Sequence, residues 1–209
     1  MNNYIVINGV TYDLVERTNC TVEASAGDII ADGVAAPMPT LADLAVKSTC
    51  KIGRHELIVM EQADGETLLL RKESLKNSRF GGNNNYDGSD VDRACLGFAE
   101  EIADIVGEEN MGEFTVDLTA DDGLKDYGEI RRKAALLTAN QCRKYVDILD
   151  EHKLDEWWWT ATAYSTPKHG DETWVKCVSP VGCINFDYYY CDYGVRPFCI
   201  LKSHIFVSR

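Results

Sequence analysis

Cysteine and histidine are the residue types in this chain with the most specific chemistry. The sequence holds eight cysteines and four histidines, and the last four cysteines follow one another at intervals of 6, 8 and 8 residues. Zinc sites usually contain cysteine pairs separated by two to four residues, and no such pair occurs here. The spacing favours cysteines that serve as small apolar core residues, and it predicts no metal centre. The four are Cys177, Cys183, Cys191 and Cys199, and Cys191 is the exception to a core role because its neighbours are expected to be exposed.

A polar segment, "NNNYDG" at 83–88, partly follows the pattern of a calcium-binding loop. Asn83, Asn85 and Asp87 stand where such a loop places its first ligands. The twelfth position would be Ala94, whereas an EF-hand needs a bidentate Glu there. Asx-turns and helix capping are the interpretation that we favour, and calcium held by a different loop geometry stays open.

The sequence also lacks the motifs of common catalytic machinery. It contains no G-x-S-x-G, no nucleotide-binding loop and no H-E-x-x-H. A cysteine and a histidine brought together only by the fold would leave no such signature. We therefore expect a protein that is not an enzyme and carries no cofactor.

The segment "WWWTATAYSTP" is the strongest aromatic feature, because it begins with three consecutive tryptophans at Trp157. Side chains of a strand alternate between two faces, so Trp157 and Trp159 would share one face and Trp158 the other. One tryptophan face is expected in the core, which gives Trp157 and Trp159 a structural role. The other face would either contact a ligand through Trp158 or lie under a loop.

A second aromatic segment, "CINFDYYYCDYGVRPF", begins at Cys183. Because a strand alternates its faces, three consecutive tyrosines cannot all point into one core. Its first part is therefore predicted to be displayed for ligand binding. We expect Arg196 and Pro197 to be structural, with Arg196 held by an acidic residue or by carbonyl groups. The predicted ligand-binding residues here are Asn185, Asp187, Tyr188, Tyr189, Tyr190, Asp192 and Tyr193.

Charge is distributed unevenly along this acidic chain. The net charge is −13; residues 1–156 hold 16 Lys+Arg and 30 Asp+Glu, whereas residues 157–209 hold 5 and 4. The last 53 residues hold 12 of the 20 aromatic residues. An acidic chain is not expected to bind nucleic acid directly. It could instead mimic nucleic acid and inhibit a host defence protein through that protein's basic site.

No apolar run approaches the ~20 residues of a membrane-spanning helix, so no membrane insertion is expected. The N-terminus lacks a basic segment followed by an apolar one, which predicts no signal peptide. We expect synthesis in the cytoplasm with reduced thiols, and incorporation into a virion is a further hypothesis.

Local patterns predict an α+β fold with strands near both ends and two helices between them. Asn8-Gly9 and Asp64-Gly65 each lie between runs typical of β-hairpins. Ser89 is predicted to begin one helix, and "TANQ" at 138–141 a second. Residues 1–50 would form a small β module for attachment or oligomerisation, and 51–209 the main domain.

The order of motifs from about Leu57 to Phe206 resembles a domain family of unknown function. These motifs are "TLLLRKESL", "NNNYDGSDVDRACLGF", "AALLTANQCRKY", "WWWTATAYSTP" and "GVRPFCIL". The family is widespread in gut bacteria and their phages and is assigned to the C-type-lectin-like fold. The resemblance implies a small core that displays a variable surface just before "GVRPF", where Tyr, Asp and Asn dominate as in antibody paratopes.

The resemblance implies several functions. Some relatives in that fold are diversified binding proteins of retroelement systems, and others are similar to sulfatase-modifying oxidases that use paired cysteines. We expect a phage- or prophage-encoded, non-enzymatic binding protein that displays an aromatic surface. Its partner would be a protein or glycan on a host cell, or a phage structural protein, and a homo-oligomer is possible. An acidic inhibitor and a cysteine-dependent oxidase are the alternatives.

Overall fold

The structure is a computed structural model that describes residues 38–208, together with the backbone of strands β1 (Tyr4–Ile7) and β2 (Val10–Asp13). The two strands pair antiparallel with Ile7 opposite Val10, which confirms the predicted N-terminal hairpin. Its turn residues, Asn8 and Gly9, lie outside the described residues. Residues 19–40 are rich in Gly, Ala and Pro, which predicts a loop, and most of them also lie outside the described residues.

The division between the two units of the chain lies after Pro37, earlier than the predicted boundary at residue 50. Strand β3 (Thr49–Ile52) pairs with the strand that follows it, and Cys50 lies opposite Leu57. Gly53, with φ of 55°, allows the tight turn between them. Residues 38–50 therefore belong to the larger unit, because they complete its sheet.

Six strands form the first sheet. Their order is β10-β15-β5-β4-β3, and the short strand β7 pairs with β15 beside it. Asp64 and Gly65 turn β4 into β5 with φ of 52° and 76°, which confirms the second predicted hairpin. The strands not yet bounded are β4 (His55–Ala63), β5 (Glu66–Arg71), β7 (Met111–Gly112), β10 (Ala134–Leu136) and β15 (Pro197–Lys202).

Helix α1 (Asp90–Val106) begins as its sequence predicts. The Ser89 hydroxyl accepts a hydrogen bond from the amide of Asp92, and Gly107 ends the helix. Side chains spaced three or four residues apart form its buried stripe and contact the first sheet. These are Val91, Cys95, Phe98 and Ile102.

The second predicted helix is two short helices, α2 (Ala139–Lys144) and α3 (Val146–Glu151), separated at Tyr145. The capping box between Thr138 and Gln141 is present. The apolar spacing of one continuous helix predicts that Val146 faces inward with Cys142 and Leu149, but the helix breaks at Tyr145 and Val146 is 54% exposed. Thr40, followed three residues later by Asp43, predicts the start of a short helix in "PTLADLAVK", but the structure has a single 3-10 turn there. The 3-10 turns of the described part are Leu41–Asp43, Glu108–Asn110 and Pro167–His169.

Five strands form the second sheet, in the order β13-β12-β11-β14-β6. A separate hairpin, β8 (Phe114–Asp117) with β9 (Glu129–Arg132), encloses residues 118–128, which contain Asp121, Asp122 and Asp126 and which we call the acidic loop. The molecule is thus a mixed α+β protein, as predicted. The sheet consists of β6 (Asn77–Ser78), β11 (Trp158–Ala163), β12 (Trp174–Val178), β13 (Ile184–Tyr188) and β14 (Tyr193–Gly194).

Strand β11 is buried along its whole length on both faces. Trp158 and Trp159 therefore both lie in the core, although they point to opposite sides of the strand. Among the described residues, no helix is both long and apolar enough to cross a membrane.

Candidate functional site

The hairpin of β12 and β13 carries the C-terminal aromatic residues. Trp174 pairs with Tyr188 across the two strands, and Lys176 pairs with Phe186. Side chains of cross-strand pairs lie on the same face of a sheet, so these four share one face. The face continues beyond β13 through Tyr190.

Five aromatic side chains on this face form a continuous series of ring contacts, which we call the aromatic strip. The distances between successive ring centroids are 4.9, 5.3, 3.8 and 5.0 Å. Tyr164, Phe186 and Tyr190 are 39%, 46% and 58% exposed. In order, the strip consists of Tyr164, Phe186, Trp174, Tyr188 and Tyr190.

The angles between neighbouring rings determine which ring surfaces the strip exposes to a ligand. Tyr190 lies parallel to Tyr188 within 11°, and Tyr188 lies over Trp174 with a tilt of 31°. These three rings form a stack in which Tyr188 contacts a ring on either side. The strip therefore presents stacked rings at its Tyr190 end and tilted or perpendicular rings around Phe186.

Lys176 supplies the positive charge beside the strip. Its Nζ lies 5.5 Å from the Phe186 ring centroid and 5.9 Å from that of Tyr164. The same Nζ lies 3.1 Å from a carboxylate oxygen of Asp121. Burial opposes ionisation of Asp121, but hydrogen bonds from Arg143 and Lys176 outweigh it and lower the pKa of that carboxyl. The charge beside the strip is thus neutralised by the acidic loop.

The three consecutive tyrosines have different surroundings. Tyr188 and Tyr190 belong to the strip, whereas Tyr189 is half-buried against the core. The amide of Tyr189 donates to the carbonyl of Thr173 at 3.0 Å, and its carbonyl accepts from the amide of Phe80 at 2.8 Å. Tyr189 thus anchors the hairpin to the loop before α1, although it was predicted to contact a ligand.

Asp187 and Tyr193 are held within the chain. The Tyr193 hydroxyl and the Cys191 thiol both donate to the Asp187 carboxylate, and the amide of Tyr188 donates to it at 2.8 Å. Burial raises the pKa of Asp187, but these hydrogen bonds outweigh it and the net shift is downward. The Tyr193 ring lies 5.7 Å from Trp157. Both predicted ligand residues are therefore committed to contacts within the chain.

Three further predicted ligand residues have other surroundings. Asn185 is exposed, but it lies on the face of β13 opposite the strip. Asp192 is exposed in the loop after the tyrosines. Trp158 is only 2% exposed and lies under Arg196, whose guanidinium carbon is 5.5 Å from its ring centroid. The expectation that Trp158 contacts a ligand is corrected accordingly, because β11 has neighbours on both faces.

Arg196 is fully buried and donates to three carbonyls, those of Arg71, Lys72 and His152, at 2.9, 3.0 and 2.9 Å. Burial lowers the pKa of Arg196 to about 10, so the side chain stays charged at neutral pH. The arginine thus joins β5, α3 and β15.

The other residues expected to be structural are also packed. Trp159 is fully buried and its indole N–H donates to the carbonyl of Ser78 at 2.9 Å. Trp157 is half-buried, and Pro197 is buried opposite Leu136. Together with Arg196 they form the support of the hairpin and carry none of its exposed surface.

Side-chain oxygens of the loop at 83–88 are used within the protein. Asn83 accepts from the amide of Asn85 at 3.0 Å, and Asn85 accepts from the amide of Asp87 at 3.1 Å. Asp87 also pairs with Arg132. These are the Asx-turns favoured by the sequence. Over the described residues, no group of three or more His, Cys, Asp or Glu is arranged to hold a metal ion.

The described cysteines are free thiols. Burial raises the pKa of Cys177 and of Cys199 to about 12. Burial also raises the pKa of Cys191, and the neighbouring Asp187 carboxylate raises it further. A thiolate is the reactive form of cysteine, so these three are poor nucleophiles at neutral pH.

Sequence reasoning missed Tyr164, Trp174 and Phe186 as strip residues. The spacing of Phe186, Tyr188 and Tyr190 by two residues would have placed them on one face of a strand. Trp174 could be added only once the register of the hairpin was known.

No family model, curated protein or solved structure matches this chain.

Proposed function

We propose that this chain is a non-enzymatic binding protein that presents the aromatic strip to a protein or a glycan. The observation that carries the proposal is the unbroken series of five contacting rings, three of them more than a third exposed. Tyrosine and tryptophan provide large contact areas and have few torsions to freeze on binding. The ring contacts also fix the side chains beforehand, which lowers the entropic cost of binding.

The rigidity of the support adds to this proposal. Tyr189, Asp187 and Tyr193 are used to hold the hairpin, so Tyr188 and Tyr190 are displayed from a fixed backbone. Aromatic residues at the centre of an interface commonly account for most of its affinity. Tyrosine combines a large apolar ring with a hydroxyl, which suits contact with a protein surface or with a glycan.

The motif resemblance extends the proposal to a C-type-lectin-like domain encoded by a phage or prophage. In that setting the partner would be a host-cell protein or glycan, or a structural protein of the virion. Residues 1–37 would then serve for attachment. Genes for tail or capsid proteins beside the coding sequence would support this extension, and neighbouring anti-defence genes would favour an inhibitor.

The experiment uses the double variant Phe186→Ser/Tyr190→Ser, because both side chains are exposed and neither anchors the hairpin. Labelled full-length protein is titrated onto a panel of gut bacterial cells. Protease treatment of the cells identifies a protein partner, and periodate oxidation identifies a glycan. We expect the double variant to lose at least about tenfold in affinity, as for aromatic residues at the centre of an interface.

Phe206→Ser is the matched control, since Phe206 is 52% exposed and lies outside the strip. It should bind like the wild type. Thermal melting of each variant shows that the fold is kept. Unchanged binding by a folded double variant would refute the proposed role of the strip.

A second candidate function is the acidic inhibitor, and one observation favours it. Helix α1 exposes Glu100 and Asp104 in its C-terminal half, on either side of a Glu101 that pairs with Arg54 and His55, and it has no basic residue in its last turn. Negative charge is unfavourable at that end of a helix, so its presence there suggests a role outside folding. Such binding should weaken steeply with salt, because exposed charges are screened within ~10 Å at 0.1 M.

The oxidase alternative has less support. It needs a reactive cysteine pair, and the pKa values of Cys191 and Cys199 are both raised. Oxidase activity that disappeared in Cys191→Ser or Cys199→Ser would restore it.

A further inference from the structure

Strand β13 is an edge strand of the second sheet, and among the described strands it pairs with β12 alone. The amide of Tyr189 donates to the carbonyl of Thr173, and the amide of Ser179 donates to the carbonyl of Cys183. Hydrogen-bonded pairs alternate along an antiparallel ladder, so Asn185 and Asp187 direct their backbone groups toward β12. Ile184, Phe186 and Tyr188 consequently direct theirs toward the open edge.

The groups of Tyr188 are already satisfied locally. Its amide donates to the Asp187 carboxylate at 2.8 Å, and its carbonyl accepts from the amide of Cys191 at 2.9 Å. Ile184 and Phe186 therefore supply the groups of the open edge, two N–H and two C=O. Exposed edges are usually protected by charges, prolines or bulges, and none of these occurs from Ile184 to Phe186.

Charge indicates what could occupy this edge. Residues 177–186 contain no charged residue, although the chain has a net charge of −13. Two copies of so acidic a protein repel each other over most of their surfaces. Along this edge they can approach without opposing like charges. Val181 and Phe186, which are 70% and 46% exposed, add apolar surface beside it.

We propose that β13 pairs antiparallel with β13 of a second copy of this chain, with the two-fold axis at Asn185. Ile184 of each copy then lies opposite Phe186 of the other, and four main-chain hydrogen bonds form. Asp187 lies opposite Cys183 of the second copy, so no carboxylates face each other. The two five-stranded sheets become one sheet of about ten strands, a size that open sheets reach.

Pairing in this register would place both aromatic strips on the same face of the joined sheet. A partner with repeated sites would then be bound by two strips, and the gain in avidity needs no new contact. The dimer itself does not depend on the strip's function. Tyr190→Ser alters the strip beyond the paired segment, whereas Asn185→Asp alters the edge on the face opposite the strip, so failures of the two proposals are distinguishable.

Cross-linking tests the register. Asn185→Cys is made in full-length Cys183→Ser protein, so that the native exposed thiol does not contribute. Residues facing each other in a non-hydrogen-bonded pair have Cα atoms about 4.5 Å apart, which a disulfide can span. We expect a disulfide-linked dimer under mild oxidation. Mass spectrometry separates it from an internal bond to Cys177.

Val181→Cys in the same background is the matched control. Residue 181 is highly exposed, so random collisions would cross-link it readily. In the proposed register the two copies of this residue lie about eight residues apart along the strands, or roughly 27 Å. It should therefore stay monomeric. Equal cross-linking of the two variants would overturn the proposal.

Sedimentation equilibrium of the wild type, Asn185→Asp and Asn185→Ser tests the association itself. Like charges directly opposite each other destabilise paired strands, so Asn185→Asp should weaken the dimer about fivefold. Asn185→Ser should stay within about threefold of the wild type. A wild type that remains monomeric up to about 1 mM, or a dimer unaffected by Asn185→Asp, would show that β13 does not pair in this way.

Discussion

Replacing Arg196 with Met tests whether the buried guanidinium stabilises the junction of β5, α3 and β15. Methionine has a similar length and can keep the packing against Trp158. It removes the positive charge and all three donors to the carbonyls of Arg71, Lys72 and His152. Because no side-chain donor replaces the guanidinium, three carbonyls at this junction lose their partner.

The size of the effect follows from two opposing contributions. Hydrogen bonds from a charged group contribute about 1.5–3 kcal/mol each, which gives roughly 4.5–9 kcal/mol for three. Removing a buried charge recovers several kcal/mol of desolvation. We expect a net loss of about 3 kcal/mol in the free energy of unfolding. In a chain of this size, that corresponds to a fall in Tm of roughly 6–12 °C.

Urea denaturation followed by tryptophan fluorescence measures this loss. Arg131→Met is the control, since Arg131 forms an exposed ion pair with Glu113 that should contribute less than about 1 kcal/mol. A loss below about 1 kcal/mol in Arg196→Met would refute the reasoning. It would mean that the desolvation cost of the guanidinium cancels its three hydrogen bonds.

Two further predictions concern ionisable groups of α1 and its neighbours. Burial and the nearby Arg71 lower the pKa of His55, although Glu101 opposes this, so the folded state binds fewer protons than the unfolded state. The free energy of unfolding should therefore fall as the pH drops from 7 through about 6.5. His55→Gln should make the free energy of unfolding depend less steeply on pH in this range. An unchanged pH dependence would show that His55 is not its source. The Asp92 carboxylate is buried and accepts from Arg132 at 2.9 and 2.8 Å. Asp92→Asn should destabilise the protein by about 3–5 kcal/mol in urea, and a loss under about 1 kcal/mol would show that the pair contributes little.

Local sequence signals gave the hairpins and helix α1 correctly, because each depends on residues close together in the chain. Asp64-Gly65 takes the positive φ values of its turn, and Ser89 caps α1. The α2–α3 break could not be seen in the same way. A continuous pattern of apolar residues does not show that Tyr145 leaves helical geometry.

The candidate site was predictable only in part, for a physical reason. Alternation along a strand separates two faces, but it does not say whether one or both are covered. Both faces of β11 are covered, so Trp158 is buried where the sequence allowed a ligand contact. For Arg196 the sequence left an acidic residue and carbonyls open, and the structure has carbonyls. Those partners are 125, 124 and 44 residues away.

The position of β15 within the first sheet has a consequence for how the chain folds. β15 is the most C-terminal of the six strands, yet it lies between β10 and β5. Until it is added, β5 and β10 each have an open edge on the side where it belongs, and such edges promote aggregation. The sheet therefore closes only after the chain has been synthesised through Lys202.

This order of events predicts slow folding limited by a late step. Phe198 pairs with Leu70 and with Ala135, contacts that span long stretches of sequence, and long-range pairing slows folding. During synthesis, the edge of β5 in the hairpin of β4 and β5 stays unpaired until β15 has been made. Expression at lower temperature or with chaperones should therefore raise the soluble yield more than any stabilising change within that hairpin.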